Sequence, residues 1–266
     1  MKYKKIILFF CIALPLSVLM RMLQLYYTVE LKTGFYKPEY QNAGLYLLLV
    51  ILAFCSVTAV LSFTSHRNPE HPPRVSPPLT AASLLMAAAV CYELLHEVWS
   101  ASVKQWQITL LILTGLGTVF FFIYYAVSPY ISVKIPRLCA ALPVVYYILR
   151  IICSFTAISS LALISDNILV TAAYCLILLF MLSFAKLYNG LDTEYNFRKL
   201  LAFGLVSVIL CATQSIPHIM INISTNGGYS HTSNAANISI LAAGIFIAVF
   251  IFSHFSARNA DAPAEE

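Results

Sequence analysis

The sequence predicts an all-α polytopic membrane bundle of eight transmembrane helices, and two observations carry that reading. The 266 residues are 60% apolar and only 10% charged, with a mean hydropathy of +0.82, which leaves too little polar surface for a water-soluble globule. Eight apolar runs, at residues 6 to 27, 43 to 64, 79 to 99, 107 to 126, 138 to 160, 168 to 187, 200 to 221 and 238 to 255, each reach the length of a spanning helix. About 20 residues of helix cross roughly 30 Å of hydrocarbon. A β-barrel is excluded because the runs are long and do not alternate.

The first run follows Lys2, Lys4 and Lys5, as a signal peptide would. After Met20, however, the chain reads Arg-Met-Leu-Gln with no small-residue cleavage site, so it is expected to stay as the first helix. The second run ends at residue 64, and a cytoplasmic linker over 65 to 79, stiffened by Pro69, Pro72, Pro73, Pro77 and Pro78, leads to the third. Its Pro69-x-x-Pro72 spacing reads as a stiff spacer. Asn189-Gly190 marks the turn between the sixth and seventh runs, and an uncharged stretch with sequons at Asn222 and Asn237 joins the seventh to the eighth. The chain is expected to form one integral membrane domain over residues 1 to 266, with 258 to 266 a disordered tail.

Charge distribution sets the expected orientation. With the N-terminus inside, eleven lysines and arginines fall on the cytoplasmic side (Lys2, Lys4, Lys5, Arg67, Arg74, Lys134, Arg137, Lys186, Arg198, Lys199 and Arg258), against Lys32, Lys37 and Lys104 outside. This bias places both termini in the cytoplasm of a cell membrane, with the lipid bilayer as the main partner. It also explains the pI near 8.8 without a nucleic-acid partner. The seven cysteines all lie in spans with no C-x-x-C pair and read as small hydrophobes.

Against this background the polar residues inside the spans stand out. A rise of 1.5 Å per residue puts Arg21, Glu93, Arg150 and Gln214 all roughly 18 to 22 Å from the cytoplasmic ends of the first, third, fifth and seventh helices. Each lies on a stripe of one helix face: Ser17, Arg21, Gln24 and Thr28; Glu93, His96, Glu97 and Ser100; Tyr146, Tyr147, Arg150 and Ser154; Ser207, Cys211, Gln214 and His218. An ionised group at mid-membrane costs about 2.5 to 3.5 kcal/mol, so Arg21, Arg150, Glu93 and Glu97 must pair or line a wet cavity.

Arg21 has Glu93 and Glu97 at its own depth, so an Arg21–Glu93 pair is expected. Arg150 then faces Gln214, which cannot neutralise it, and becomes the better candidate for an anionic group unless it borrows Glu97. The candidate binding residues are Arg21, Gln24, Glu93, His96, Glu97, Arg150, Gln214 and His218. Glu93-x-x-His96 has a metal-ligand spacing, but a second such pair is missing from the spans, so neither a metal nor another cofactor is expected. No nucleotide, P-loop or zinc-protease fingerprint occurs.

The two halves, about 1 to 130 and 131 to 257, also resemble each other. Cys11-x-Ala-Leu-Pro15 and Cys139-x-Ala-Leu-Pro143 both precede an arginine, Leu-Ser-Phe recurs at Leu61 and Leu182, and Val-Phe-x-Phe at Val119 and Val249. The order is kept, so a parallel four-plus-four repeat is expected, an architecture familiar in transporters. Pro15, Pro143 and Pro217 are each expected to lie inside a helix and free the carbonyl four residues earlier.

Arg21, Gln24 and the Thr33-Gly34-Phe35-Tyr36 quartet resemble a group of uncharacterised bacterial multi-pass membrane proteins, in which an R-x-x-Q helix precedes T-G-F-[YF]. The resemblance covers the first 36 residues and implies no particular activity. The leading expectation is a transporter or solute-binding permease with an outward polar cavity for an anionic or zwitterionic small molecule. The alternative is a membrane sensor or assembly partner in which the polar layer is a structural ion-pair lock. A membrane enzyme ranks below both, since no nucleophile accompanies His96 and Glu93, and no catalytic residue is assigned. The segment Glu30 to Tyr40 is expected to cap the outer mouth near Glu93 and Arg150.

Overall fold

The structure, a computed structural model, describes residues 2–30, 36–64, 76–100, 105–131, 137–157, 164–191, 193–224 and 233–261. Within them are eight helices long and apolar enough to cross a membrane: α1 (Lys2–Leu23), α2 (Gln41–Phe63), α3 (Pro77–Ser100), α4 (Gln105–Ile131), α5 (Leu142–Ala157), α6 (Ile164–Tyr188), α7 (Thr193–Ser224) and α8 (Asn234–Asp261). A π-helical turn, Gln24–Thr28, prolongs α1, and short 3-10 turns at Pro38–Tyr40 and Arg137–Ala141 lead into α2 and α5.

Local chemistry explains most boundaries. Pro77 and Pro78 open α3, where a missing N–H leaves no bond unmade. Gly190, with φ of 70°, takes the left-handed conformation that turns the chain out of α6. Pro15 and Pro217 lie inside α1 and α7 as expected. Pro143 does not lie inside a helix in that sense: it stands in the first turn of α5, after the 3-10 turn, where it is tolerated for the same reason as Pro77. The tail boundary also moves, because α8 runs on through Asp261 and makes residues 258–261 helical. Ala257 and Ala260 are good helix formers and nothing there stops the helix. Residues 262–266 lie outside the described part.

The helices pack in a closed circuit, α3 on α4, α4 on α5, α5 on α6, α6 on α7, α7 on α8 and α8 back on α3. α1 and α2 pack on each other and on the outside of α7. α7 is therefore the hub: 89% of its span is buried, against 28% for α1 and 22% for α2, whose other faces are left for lipid.

The even-numbered members of the circuit meet in an aromatic layer. Phe121 and Tyr125 of α4, Phe184 of α6 and Phe246 of α8 contact one another with centroids 5.6 to 6.3 Å apart, mostly edge to face. These residues lie in the half of each helix nearer the chain termini. The odd-numbered members carry the polar groups in the other half.

The halves keep two pairings in common, α1 with α2 as α5 with α6, and α3 with α4 as α7 with α8. They differ beyond that. Among the described residues α7 gathers α1, α2 and α6, whereas α3, its counterpart, adds only α8 as a further extensive partner.

Close approach at the hub depends on small residues. A Cβ on Gly244 would lie 2.8 Å from the Cβ of Cys211, so α8 lies against the backbone of α7 there. Gly244→Ala is expected to force the two helices apart and to cost about 1 to 3 kcal/mol. The apparent Tm of the purified protein in detergent should fall by several degrees; an unchanged Tm would show that α7 and α8 are not in such close contact.

Candidate functional site

Glu93 and Glu97 stand four residues apart on α3, so both carboxylates leave the same face of the helix. Across the circuit, α5 presents Arg150 to them. Its Nη2 donates to Glu93 Oε1 in a tight contact, and its Nη1 donates to Glu97 Oε1 at 2.9 Å. Tyr146, one turn earlier on α5, donates its hydroxyl to Glu93 Oε2 at 2.8 Å, and Tyr174 of α6 approaches Glu93 Oε1 at 3.4 Å. The Tyr174 ring also receives the guanidinium over its face, 5.9 Å from centroid to Cζ.

Burial is graded along this cluster. Glu93 and Arg150 are buried, with side chains 1% and 8% exposed, while Glu97 at 14% is the accessible end. His96 is half-buried beside them and bonds to none of the cluster among the described residues. Two carboxylates share one guanidinium, so with all three ionised the cluster carries one surplus negative charge. Hydrogen bonds from two tyrosines hold that charge in a medium where an unpaired ion would be costly.

This arrangement corrects the expected pairing. Glu93 belongs to Arg150, not to Arg21, and Gln214 is not the partner of Arg150. The physical reason is lateral position. α1 lies outside the circuit against α7, so equal depth does not bring Arg21 to α3.

Arg21 instead heads a second cluster. It is fully buried, and its Nη1 donates to Gln24 Oε1 one turn ahead. The Gln24 amide donates in turn to Tyr36 Oη at 2.8 Å and to the carbonyl of Gly44 at 2.7 Å, tying α1 to the start of α2. The chain closes on itself here: Lys37 N–H donates to Thr28 O at 2.8 Å and Val29 forms an antiparallel bridge with Tyr36. The Tyr36 ring lies against the backbone of α2, so close that a Cβ on Gly44 would stand 2.3 Å from its Cε1.

The expected cap is therefore misplaced. The described part of that segment, Glu30 and Tyr36–Tyr40, packs over α1 and α2, because Gln24 and Gly44 hold Tyr36 there; it does not lie over Glu93 and Arg150. Residues 31–35, including Thr33, Gly34 and Phe35, lie outside the described part. Arg21, Gln24 and Tyr36 of the sequence motif do meet.

α7 lies between the two clusters. Its stripe Ser207, Cys211, Gln214 and His218 is fully buried, as the periodicity predicts. His218 is within electrostatic reach of Arg21, and Cys211 of the Tyr147 hydroxyl.

Sequence reasoning missed Tyr174, Tyr36 as a ligand of Gln24, and Gly44. Tyr174 sits in Ala172-Ala173-Tyr174-Cys175, a run with no polar stripe to draw attention to it. For Gly44 the signal was a lone glycine four residues into a helix after a tyrosine-bearing turn.

The Tyr36 lock predicts a non-additive result. Tyr36→Phe should cost about 0.5 to 1.5 kcal/mol for the lost hydrogen bond. Gly44→Ala should cost more, since the ring must leave, yet be neutral or stabilising when Tyr36 is already alanine. Equal effects of Gly44→Ala in both backgrounds, measured as detergent Tm, would contradict the contact.

In the comparisons with known proteins, no protein-family model, no curated protein and no solved structure matches the chain.

Proposed function

We propose that this membrane protein is a solute-binding permease whose site is the Glu93–Arg150–Glu97 cluster, and that its solute is a small zwitterion. The observation that carries this reading is the Arg150–Glu97 pair at 2.9 Å, formed at the accessible end of a buried cluster. A zwitterion entering there exchanges one pair for two, its carboxylate on Arg150 and its ammonium on Glu97. The solute adds one charge of each sign, so the net charge of the cluster is unchanged. A simple anion would engage only Arg150 and a simple cation only Glu97, whereas a zwitterion engages both. Of the anionic and zwitterionic solutes expected from the sequence, the zwitterion is favoured on this ground.

The positive-inside bias supports a cell-membrane location with both termini cytoplasmic. In that orientation the site lies in the outer half and Glu97 and His96 face the exterior, while the aromatic layer fills the cytoplasmic half of the circuit. The site is then accessible from outside, and passage inward requires the aromatic layer to part. Duplication of a four-helix unit fits the two shared pairings; the extra partners of α7 would then be a later divergence.

A second reading, a structural lock serving sensing or assembly, is favoured by the near-complete burial of Glu93 and Arg150 beneath Tyr146 and Tyr174.

The two readings part in a thermal-shift assay of the detergent-purified chain, because a ligand of the folded form raises its apparent stability. Alanine should raise the Tm, its amine-only and acid-only analogues ethylamine and propionate should not, and Glu97→Gln should abolish the response. If a panel of amino acids leaves the Tm unmoved, the permease reading is wrong and the lock stands.

A further inference from the structure

Some buried hydroxyls in this protein satisfy themselves. Thr58, Ser62, Ser83 and Thr118 each donate to the carbonyl four residues earlier, at 2.7 to 2.9 Å. The hydroxyls of Ser17, Thr213, Ser215 and Ser239 have no partner among the described residues, and beside the charged cluster two larger polar groups share that condition. The Gln214 amide is fully buried, and neither its nitrogen nor its oxygen has a hydrogen-bond partner among the described residues. The Tyr147 hydroxyl is equally buried and equally unpartnered.

These two groups belong to one region. Tyr147 packs edge-on against Tyr146, with centroids 5.3 Å apart, and tilts against Tyr174 at 6.2 Å; both of those tyrosines bond Glu93. Its hydroxyl is within electrostatic reach of Glu93 on one side and Cys211 on the other. Gln214 follows Cys211 by three residues on the same face of α7, which places its amide one turn further along, toward the level of Arg150. Pro217 adds to this, since it cannot donate to the carbonyl of Thr213 and so frees a backbone acceptor in the same turn. A buried amide and a buried phenol without partners are costly to keep, and in native proteins such groups call for an explanation.

We infer that Gln214 and Tyr147 form a second subsite that receives a neutral hydrogen-bonding group of the solute, so that the ligand is a zwitterion bearing a hydroxyl or carboxamide side chain. This rests on the zwitterion site proposed above and adds its specificity. The Gln214 amide supplies both a donor and an acceptor, and the Tyr147 hydroxyl supplies either, which matches a carboxamide or hydroxyl and excludes a charged side chain. An apolar side chain of the same size would leave all of these atoms unpaired, and that is the circumstance in which a site discriminates strongly between isosteres.

Apparent affinities from thermal shifts test it, with glutamine and serine as the polar probes and leucine and alanine as their apolar counterparts. Wild type should favour the polar member of each pair by about tenfold or more. Gln214→Leu should remove most of that preference while alanine still stabilises the protein. Should Gln214→Leu fail to fold, Tyr147→Phe, which removes one oxygen and keeps the ring packing, should narrow the preference in the same way. Equal response to polar and apolar amino acids in wild type would overturn this inference and leave the zwitterion site intact. No response to any amino acid would overturn both.

Discussion

One arginine between two glutamates is the constraint around which the bundle is arranged. Arg150 and Glu93 are too costly to leave facing lipid, at about 2.5 to 3.5 kcal/mol for each unpaired ion on insertion scales. They meet only because α4 folds back and sets α5 across from α3. Tyr146 and Tyr174 then complete the coordination of Glu93, which draws α6 into the same site. Three helices, α3, α5 and α6, are thus registered by one cluster of side chains. The apolar faces alone could slide past one another, because packing in lipid lacks a hydrophobic driving force between helices.

The rest of the fold follows from a division between the two ends of the circuit. Rings from α4, α6 and α8 fill the end nearer the termini, where close packing asks for large rigid apolar groups. Polar groups from α3, α5 and α7 occupy the other end. α7 links this interior to α1 and α2 outside it, and its stripe includes Cys211, within electrostatic reach of Tyr147, and His218, within electrostatic reach of Arg21. The Arg21–Gln24–Tyr36 cluster secures the peripheral pair much as the Glu93 cluster secures the circuit. Gln24 is suited to that place: its amide accepts from Arg21 and donates twice, to Tyr36 and to Gly44, leaving no donor idle.

Much of this was legible in the sequence, and the limits have a physical cause. The eight spans could be read from hydropathy because lipid imposes length and apolarity directly. The inward faces of Arg21, Glu93, Arg150 and Gln214 were legible because helical periodicity places i and i+4 together. The partners were not. Depth along a helix can be counted, but the lateral order of helices comes from packing, and so Arg21 seemed to belong with Glu93. Pro143 looked like Pro15 in a local alignment, yet one sits in a first turn and the other inside a helix. Tyr174 and Gly44 act through contacts 81 and 20 residues away in the chain, to Glu93 and Gln24, and no polar stripe on their own helices marks those partners.

The most direct test of the central claim is a double-mutant cycle on Glu93→Gln and Arg150→Met, read as unfolding free energy or apparent Tm in detergent. Arg150→Met leaves the buried Glu93 carboxylate without its guanidinium and is expected to cost about 3 to 5 kcal/mol, whereas Glu93→Gln leaves Arg150 on Glu97 and should cost less. The double variant should be much less destabilised than the sum, with a coupling of at least 1 to 2 kcal/mol, because it removes both members of the pair at once. Additive losses would contradict the account, since they would mean that Glu93 and Arg150 do not depend on each other.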